Sequence, residues 1–357
     1  MIKILHIGNG NEKHLGARYY GIERKLQNGL VRSGFNSLFF SDRDVKRTSG
    51  LFGTNWRGAK NCNKKLLEVV RNFRPQILLL GHANIITNDT LEQVRAIIPT
   101  IKIAQYNVDA LFRLENISAI KNRISHIDAT FLTTHGVEAQ KYATQLNKVF
   151  YIPNPVDCAI ETHQSFNAAT KYDVFFACRA ASTKGAHETT NRLIIPHFLQ
   201  TNAPELRYNF HGFNGRDELF GADFYDQLSK SAMGLNISQK QTTRGELTQA
   251  TAAQKYLYSS DRIAQYLGCG LLVFSERGFA LEDFFAEDKH MILFESAEEL
   301  KDKLQFYAQN DELRRKIAQA GWQFAHQNCS NKLIANFIVE ATMQMDFSED
   351  YYWLRFG

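Results

Sequence analysis

The first half of the chain alternates short apolar runs with amphipathic stretches. The apolar runs span residues 2–8, 37–40, 76–82, 101–107, 129–134 and 149–153. Between them, stretches such as YYGIERKLQNGLVRSG and NKKLLEVVRNF repeat apolar residues every three to four positions, as a helix with one buried face does. Continuous apolar strands separated by helices are typical of a parallel sheet that helices cover on both faces. The pattern therefore predicts a doubly wound α/β domain.

A second series of strands and helices follows a break in this pattern. The segment IPNPVD at 152–157 holds two prolines and an asparagine, which interrupt any regular periodicity. Beyond it, apolar runs resume at 173–178, 206–212, 233–238, 270–275 and 290–294. We therefore expect two Rossmann-like domains that face each other across a cleft. Ligands of such sheets bind at the carboxyl ends of the strands, so the residues after each strand are the candidates for chemistry.

Composition and charge narrow the class of protein. The chain has 357 residues, 44% of them hydrophobic, and a net charge of +5 without a run of five or more basic residues. Nucleic-acid binding is therefore not expected. Five widely spaced cysteines form no CxxC pair, which favours reduced thiols in a cytoplasmic protein. No apolar stretch approaches the ~20 residues of a membrane-spanning helix, so we expect a soluble or at most a peripheral protein.

The segment GNGNEKHLG follows the first predicted strand. It contains the G-x-G of a dinucleotide-binding fingerprint, but Lys13 stands where the third glycine belongs. NAD binding is therefore not supported. We expect instead a flexible loop that lines the cleft, formed by Gly8, Asn9 and Gly10.

A pair of carboxylates follows the second predicted strand. Asp42 and Asp44 in SDRD could hold a divalent metal that bridges the diphosphate of a sugar nucleotide, since hard cations prefer oxygen ligands. A D-x-D triplet is also common by chance, and this one lies in the half without the predicted phosphate-binding residues. We therefore expect a solvated turn and no metal site.

Two segments of the second half have the chemistry of an anion site. Arg179 and Lys184 in ACRAASTKG follow a strand, and a guanidinium and an ammonium group together suit a diphosphate. Solvated loop cations are an equal alternative for this segment alone.

The segment YSSDRIAQYLGCGLLVF reads as a short helix that leads into a buried strand. Ser260 and Asp261 stand at the helix start, where free backbone N–H groups can seat a phosphate, and Asp261 is the expected cap. Arg262 adds a positive charge beside them. Gln265 can both donate and accept a hydrogen bond, which suits a ribose or sugar hydroxyl. A capped helix with an exposed arginine is the alternative without a ligand.

These segments resemble GT-B glycosyltransferases of the group-1-like, spore-maturation-type branch. The C-terminal module of that family typically reads R-x-x-E-x-L-A-x-G, a strand, E-x-L-F, an apolar strand, EL and R-x-x-I-A-x-x-G. The corresponding stretches are 262–270, 281–285, 299–300 and 314–321. CRAASTKG is similar to the family's G-R-x-x-x-x-K-G phosphate motif. The resemblance covers residues 130–357 and is architectural before them.

The resemblance implies a metal-independent transferase without a cofactor. It would move a sugar from a nucleotide diphosphate-sugar to a hydroxyl group of a glycan or glycolipid, such as a bacterial surface glycan or a lipopolysaccharide-type acceptor. Residues 1–154 would form the acceptor domain, 155–335 the donor domain, and 336–357 a tail that packs back on the acceptor domain. The implied donor-binding residues are Arg179, Lys184, His211, Phe213, Asn214, Ser260, Asp261, Arg262 and Gln265.

Acceptor chemistry is expected from the first half. The segment IAQYNVDALF places Asn107 and Asp109 just after a strand. Asp109 is the candidate general base of an inverting reaction, because a carboxylate there could take the acceptor's hydroxyl proton. In a retaining reaction it would orient the acceptor instead. His135 is a further candidate, and a cap or turn role is an equal alternative for all three.

Departures from the family pattern leave other functions open. Gln265 replaces the usual ribose-binding glutamate, and Leu257 stands at the first glutamate of the E-x7-E pattern. Gln265 favours a noncatalytic nucleotide-sugar-binding module, and a nucleotide-sugar epimerase on the same fold is a third candidate. The aromatic tail DYYWLRFG also suggests peripheral association with the inner membrane face, unless the tail packs on the first domain.

Overall fold

The computed structural model describes residues 1–50, 57–178, 191–212, 216–237 and 250–356. The chain divides into a first unit, Met1–Pro155 with Ser330–Gly357, and a second unit, Val156–Cys329. Within the described residues each unit is built on one parallel sheet with helices packed against it. The predicted α/β class with two parallel sheets is therefore confirmed.

Strands and helices alternate along most of the described chain. The strands are β1 Lys3–Gly8, β2 Asn36–Ser41, β3 Ile77–Leu80, β4 Lys102–Asn107, β5 Ala129–Leu132, β6 Lys148–Tyr151, β7 Tyr172–Ala177, β8 Tyr208–His211, β9 Ser231–Asn236, β10 Leu272–Glu276 and β11 Ile292–Phe294. The helices are α1 Ile22–Arg32, α2 Asp42–Thr48, α3 Gly58–Phe73, α4 Asn88–Ile97, α5 Leu114–Lys121, α6 Gly136–Gln140, α7 Asn191–Asn202, α8 Gly221–Ser229, α9 Ala252–Lys255, α10 Asp261–Gly268, α11 Ala297–Gln309, α12 Asp311–Asn328 and α13 Asn331–Met343. Each predicted apolar run overlaps one of these strands.

The first unit has the strand order β2-β1-β3-β4-β5-β6. All four residues of β3 are buried, as expected for a central strand that helices cover on both faces. Helices α1 and α13 cross at Gly29, where a Cβ atom would lie 2.2 Å from the carbonyl oxygen of Asn331. Glycine is therefore required at this crossing.

Residues 330–357 complete the core of the first unit. Phe337 of α13 packs its ring edge against Phe131 of β5, with the ring centroids 5.9 Å apart. Tyr351 and Trp353 pack on Phe337 and are 1% and 0% exposed. These two aromatic side chains are therefore not available to a lipid interface, and the tail packs on the first unit instead.

The second unit has the strand order β11-β10-β9-β7-β8. Gly234 in β9 admits the buried ring of Tyr266, whose nearest atom would lie 2.6 Å from a Cβ at that position. Gly212, just after β8, has a φ of +86°, and a Cβ there would lie 1.7 Å from the carbonyl oxygen of Cys178. Gly234 therefore lets α10 approach β9, and Gly212 lets the ends of β8 and β7 approach at the carboxyl edge of the sheet.

Two features bear on membranes and thiols. Among the described helices, none is both long and apolar enough to cross a membrane. The five cysteines are all free thiols.

Candidate functional site

Each sheet has one place where the strand order reverses. In the first unit this place lies between β1 and β3, and in the second unit between β7 and β9. The chain leaves these neighbouring strands in opposite directions, which opens a crevice at their carboxyl ends where ligands of such folds bind. The side chains at these two edges are therefore the ones that decide the chemistry.

Asn236, the last residue of β9, organises the edge of the second sheet. It is 1% exposed, and its Nδ2 donates to the Oγ of Ser275 in β10 over 2.9 Å. Its Oδ1 accepts from the Oγ of Ser260 over 2.7 Å and from the Nε of Arg262 over 3.3 Å. One buried amide thus fixes the start of α10 against β9 and β10.

The start of α10 differs from the prediction in one respect. Ser260, and not Asp261, is the residue that precedes the helix, and its side chain makes no capping bond to a backbone N–H. The Ser260 hydroxyl is instead directed to Asn236, a contact that the local sequence could not show. Asp261 is the first helical residue, where a carboxylate favours the positive end of the helix dipole.

Two arginines converge at the strand reversal of the second sheet. The Nη2 of Arg262 donates to the carbonyl oxygen of Ile237 over 2.8 Å, and the Nε of Arg192 donates to the same oxygen over 3.3 Å. Arg262 also lies over the ring of Phe176, 5.7 Å from its centroid. Two guanidinium groups that share one carbonyl repel each other, and a bound anion would relieve this repulsion.

Arg192 was not among the predicted site residues. It lies in the first turn of α7, in a stretch that carries no recognisable phosphate motif. The only sequence signal is its place near the start of the helix that follows β7. Of the predicted cations, Arg262 is at the site, whereas Arg179 and Lys184 lie outside the described residues.

His211 and Gln265 occupy different environments at this edge. His211 ends β8, and its Nε2 donates to the Oδ1 of Asn209 over 2.8 Å. Burial and the nearby Arg216 cation lower the pKa of His211, so its ring is neutral at neutral pH. Phe213 and Asn214, predicted beside it, lie outside the described residues.

Gln265 lies in α10, one turn after Arg262. It is 7% exposed. Among the described residues, none hydrogen-bonds its side-chain amide. The amide can therefore both donate to and accept from a hydroxyl group of a ligand at this edge.

The edge of the first sheet carries a carboxylate and an imidazole. Asp109 follows β4 and His82 follows β3, and the Oδ2 of Asp109 lies 3.8 Å from the Nε2 of His82. The two side chains are 46% and 22% exposed. His82 was not predicted, although it is the last residue of the run QILLLGH and the rule of inspecting residues after each strand would have found it.

Asn107 and Asn116 fix the backbone at Asp109. The Oδ1 of Asn107 accepts from the backbone N–H of Asp109 over 2.9 Å, and the Nδ2 of Asn107 donates to Asn116. Asn116 in turn donates to the carbonyl oxygen of Asp109 over 3.0 Å. Asn107, predicted as a candidate catalytic residue, is 7% exposed and holds Asp109 in place.

His135 has a structural contact at the start of α6. Its Nδ1 accepts from the backbone N–H of Gly136, and its ring is 9% exposed. Burial lowers the pKa of His135, which agrees with a neutral ring that accepts at Nδ1. The structure therefore brings Asp109 and His82 together and uses Nδ1 of His135 as a helix cap.

The predicted solvated turn at SDRD is wrong. Asp42 and Asp44 are 0% and 3% exposed and lie in the first turn of α2. Asp42 accepts from the backbone N–H groups of Arg43 and Ile85 over 2.7 and 3.2 Å, and burial raises its pKa. The sequence could not show this, because the Ile85 amide comes from the loop after β3. Within the described part of the chain, no three His, Cys, Asp or Glu side chains cluster as metal ligands.

The loop after β1 is hydrogen-bonded to the start of α2. The backbone N–H of Gly10 donates to the Oγ of Ser41 over 2.8 Å, and Ser41 donates to Asp44. The loop of Gly8, Asn9 and Gly10 is therefore anchored, contrary to the expectation of a flexible loop. It lies at the carboxyl end of β1, beside the strand reversal.

Comparisons with known proteins agree with this architecture. Residues 190–340 match the family model described as glycosyl transferase-like. No curated protein matches the chain. HepE of Anabaena in complex with UDP and glucose is similar in structure, with 15% identity and a TM-score of 0.57 over 97% of this chain and 100% of that one.

Two further solved structures are similar over almost their whole length. A glycosyltransferase from Rickettsia africae has 13% identity and a TM-score of 0.61 over 98% of this chain and 99% of that one. A putative UDP-N-acetylglucosamine 2-epimerase from Listeria monocytogenes has 15% identity and a TM-score of 0.52 over 98% and 99%. The chain therefore has the GT-B fold of glycosyltransferases, and its residues 190–340 are similar to the glycosyl transferase-like family.

Proposed function

We propose that the protein is a glycosyltransferase that moves a sugar from a nucleotide diphosphate-sugar to a hydroxyl group. The observation that carries this proposal is the convergence of Arg192 and Arg262 on the Ile237 carbonyl at the strand reversal of the second sheet. The leaving diphosphate gains negative charge as the sugar departs. Fixed guanidinium groups stabilise that charge in the transition state, which is often the largest catalytic contribution.

The donor contacts follow from the chemistry of this edge. We assign Arg192 and Arg262 to the diphosphate and the Gln265 amide to a ribose hydroxyl. Ser260, Asp261 and His211 border the same edge, and Arg179, Lys184, Phe213 and Asn214 stay predictions. HepE was solved with UDP and glucose, which supports a UDP-sugar as the first donor to test. In this proposal the guanidinium groups take the electrostatic role of a metal ion, and no cofactor is needed.

We assign the acceptor chemistry to the first unit. Asp109 is half-exposed on a backbone that Asn107 and Asn116 hold, so its carboxylate can reach a hydroxyl group from solvent. It would take the acceptor's proton in an inverting reaction, with His82 beside it to share the charge. We propose a glycan or a glycolipid as the acceptor, and membership of the spore-maturation-type branch of the family. We also propose a cytoplasmic location, where the thiols of the protein stay reduced.

The decisive test is nucleotide binding by an Arg262→Ala variant. Loss of a charge-assisted contact to diphosphate should weaken UDP by about 1.5–3 kcal/mol, or roughly 10- to 100-fold, in isothermal titration. Uridine affinity should change little. Arg207→Ala is the matched control, because it removes a guanidinium from the opposite edge of the same sheet, where Arg207 pairs with Asp173 over 2.6 Å.

Two companion results sharpen this test. Gln265→Ala should weaken UDP and uridine alike, by about 0.5–1.5 kcal/mol, because it removes a neutral contact to ribose. Arg262 also bonds Asn236 and Ile237, so its variant should melt earlier, and binding is best measured well below the melting temperature. If Arg262→Ala binds UDP like the native protein, the donor site lies elsewhere.

An epimerase is the second candidate function. The structural likeness to the putative UDP-N-acetylglucosamine 2-epimerase of Listeria monocytogenes favours it. An epimerase would convert a UDP-sugar without any acceptor, which NMR of the sugar signals detects. A transferase would release UDP only with an acceptor or water, and a noncatalytic binding module would do neither.

A further inference from the structure

The D-x-D triplet of Asp42 and Asp44 has no part in the proposed chemistry. Both carboxylates are buried, at 0% and 3% exposure. Strand β2 ends at Ser41 and helix α2 begins at Asp42, so the triplet forms the first helical turn at the carboxyl edge of the first sheet. Burying two carboxylates in one turn is costly unless each of them accepts hydrogen bonds. The bonds that they accept therefore indicate the role of this turn.

Asp44 holds the loop that follows β1. Its Oδ2 accepts from the backbone N–H of Glu12 over 3.2 Å and from the hydroxyl of Ser41, which in turn accepts from the backbone N–H of Gly10 over 2.8 Å. The backbone of Gly10 lies so close that a Cβ there would be 2.9 Å from Asp44 Oδ2. Two backbone N–H groups of this loop are therefore fixed by one carboxylate, directly or through Ser41.

Asp42 holds the loop that follows β3. Its Oδ2 accepts from the backbone N–H of Ile85 over 3.2 Å, and its Oδ1 accepts from that of Arg43 over 2.7 Å. Asn63 of α3 binds the same loop, since its Nδ2 donates to the carbonyl oxygen of Ile85 over 2.9 Å and its Oδ1 accepts from the backbone N–H of Thr87 over 3.1 Å. Both backbone groups of Ile85 are thus fixed by buried side chains.

Arg123 is a third buried anchor of this loop. It is 8% exposed, and its Nη2 donates to the carbonyl oxygen of Ala83, the residue after His82. Its positive charge also attracts the Asp42 carboxylate. Two buried charges of opposite sign thus support the loop that carries His82, whose Nε2 lies 3.8 Å from Asp109 Oδ2.

The two loops lie on either side of the strand reversal of the first sheet. Strands β1 and β3 are neighbours in this sheet, and the chain leaves them in opposite directions, which opens a crevice between their carboxyl ends. The first turn of α2 is hydrogen-bonded to both loops. One helical turn therefore sets the separation of the two sides of the crevice.

We infer that Asp42 and Asp44 are positioning residues that hold the two loops at a fixed separation and keep His82 beside Asp109. Backbone N–H groups point at the same carboxylate oxygens and would repel a cation, so this D-x-D triplet is not a metal site. The inference rests on the proposed function in one respect, since the crevice receives an acceptor only if the protein is a transferase.

Amide hydrogen exchange read by NMR tests the two arms separately. In Asp42→Asn one carboxylate oxygen becomes an NH2 group, so the Ile85 N–H should exchange at least about tenfold faster, the factor expected for losing a bond to a charged group. The N–H groups of Gly10 and Glu12 should exchange as in the native protein. Asp44→Asn should give the reverse result.

A second readout follows His82 itself. At constant pH the NMR signal of its Cε1–H group responds to the neighbouring carboxylate, so Asp109→Asn should shift this signal in the native background. The shift should fall by at least about half in the Asp42→Asn background, because the loop no longer holds the ring at that distance. A role in stability alone would lower the melting temperature without changing this response.

Asp128→Asn is the matched control. Asp128 precedes β5 at the amino edge of the same sheet, where it accepts from the backbone N–H of Ile103 over 2.7 Å and pairs with Arg95 over 2.8 Å. This variant should lose stability as Asp42→Asn does, but it should leave both loops and the His82 signal unchanged. Asp42→Ser, whose side chain is too short to reach the loop, replaces Asp42→Asn if that variant does not fold.

Three results would overturn the inference. Unchanged exchange of the Ile85 N–H in Asp42→Asn would show that the carboxylate does not hold the loop. Equal loosening of the loops in Asp128→Asn would indicate general destabilisation. An unchanged His82 response in Asp42→Asn would show that the turn does not position the ring. Native protein that binds no UDP would refute the proposed function instead, and the exchange results would still decide this inference.

Discussion

The first unit presents a carboxylate and an imidazole at the carboxyl edge of its sheet, whereas the second unit presents two guanidinium groups. The net charge of each unit has the opposite sign to the charged groups at its carboxyl edge. Basic residues exceed acidic ones twofold in residues 1–155, and acidic ones prevail in residues 156–329. The chemistry of each edge is therefore set by a few residues after the strands, independently of the charge of the unit.

The two units also use their basic residues differently. In the second unit Arg314 is 2% exposed and donates to the carbonyl oxygen of Ala232 and to Asp311. In the first unit Lys60 and Lys64 project from α3 into solvent. A buried arginine supports packing, whereas an exposed lysine leaves stability almost unchanged and is available to a partner.

Among the tests that compare the two edges, the variant Asp109→Asn should have the largest effect. If Asp109 takes the acceptor's proton, kcat should fall 100- to 10,000-fold with little change in UDP affinity, because general base catalysis contributes that much. The matched control is Glu92→Gln, since Glu92 Oε1 lies 3.9 Å from His126 Nε2 in the same unit but away from the carboxyl edge. Equal activity of the two variants would contradict the assigned role. A loss confined to KM would indicate that Asp109 orients the acceptor.

The sequence predicted the sheets well and the two edges only in part. Apolar runs such as QILLLGH identify strands because burial on both faces requires them, whatever the rest of the chain does. The burial of Asp42 depends on the amide of Ile85, and the direction of Ser260 depends on Asn236, so both need the folded chain. Arg192 reaches the site because α7 follows β7, which no local motif shows.

A second test asks whether buried histidines or surface charges determine how the free energy of unfolding depends on pH. His6 in β1 is fully buried between Tyr106 and Gln27, and burial lowers its pKa to about 4. Between pH 6.5 and pH 4 the unfolded chain binds a proton at His6 that the folded chain does not. The free energy of unfolding should therefore fall by up to roughly 3 kcal/mol as the pH drops through this window.

The second unit contains a counterpart of this residue. His290 is stacked on Phe324, and burial lowers its pKa to about 4 as well, so acid should weaken both units despite their opposite charge. Urea unfolding at pH 7 and at pH 4.5 measures the loss, and His6→Gln should reduce it. An unchanged pH dependence in His6→Gln would show that His6 is not the titrating group.

The test with the smallest expected effect compares the substitution of a buried arginine with that of an exposed lysine. Arg314→Met keeps most of the apolar volume but removes the bonds to Ala232 and Asp311, which should cost about 2 kcal/mol of unfolding free energy. Lys64→Met in the first unit should change it by less than about 0.5 kcal/mol. Urea midpoints of the two variants provide the comparison. Similar losses would mean that Lys64 has a structural role that its exposure hides.

The return of residues 330–357 to the first unit has a consequence for how the chain is made. Helix α13, Tyr351 and Trp353 belong to the core of the first unit, but residues 156–329 separate them from the rest of it. On the ribosome the whole second unit emerges before these residues do, and domains fold as units during synthesis. The unit that begins first is therefore completed last. Until then the face of β5 that Phe337 covers, with Phe131 at its centre, stays open to chaperones or to aggregation.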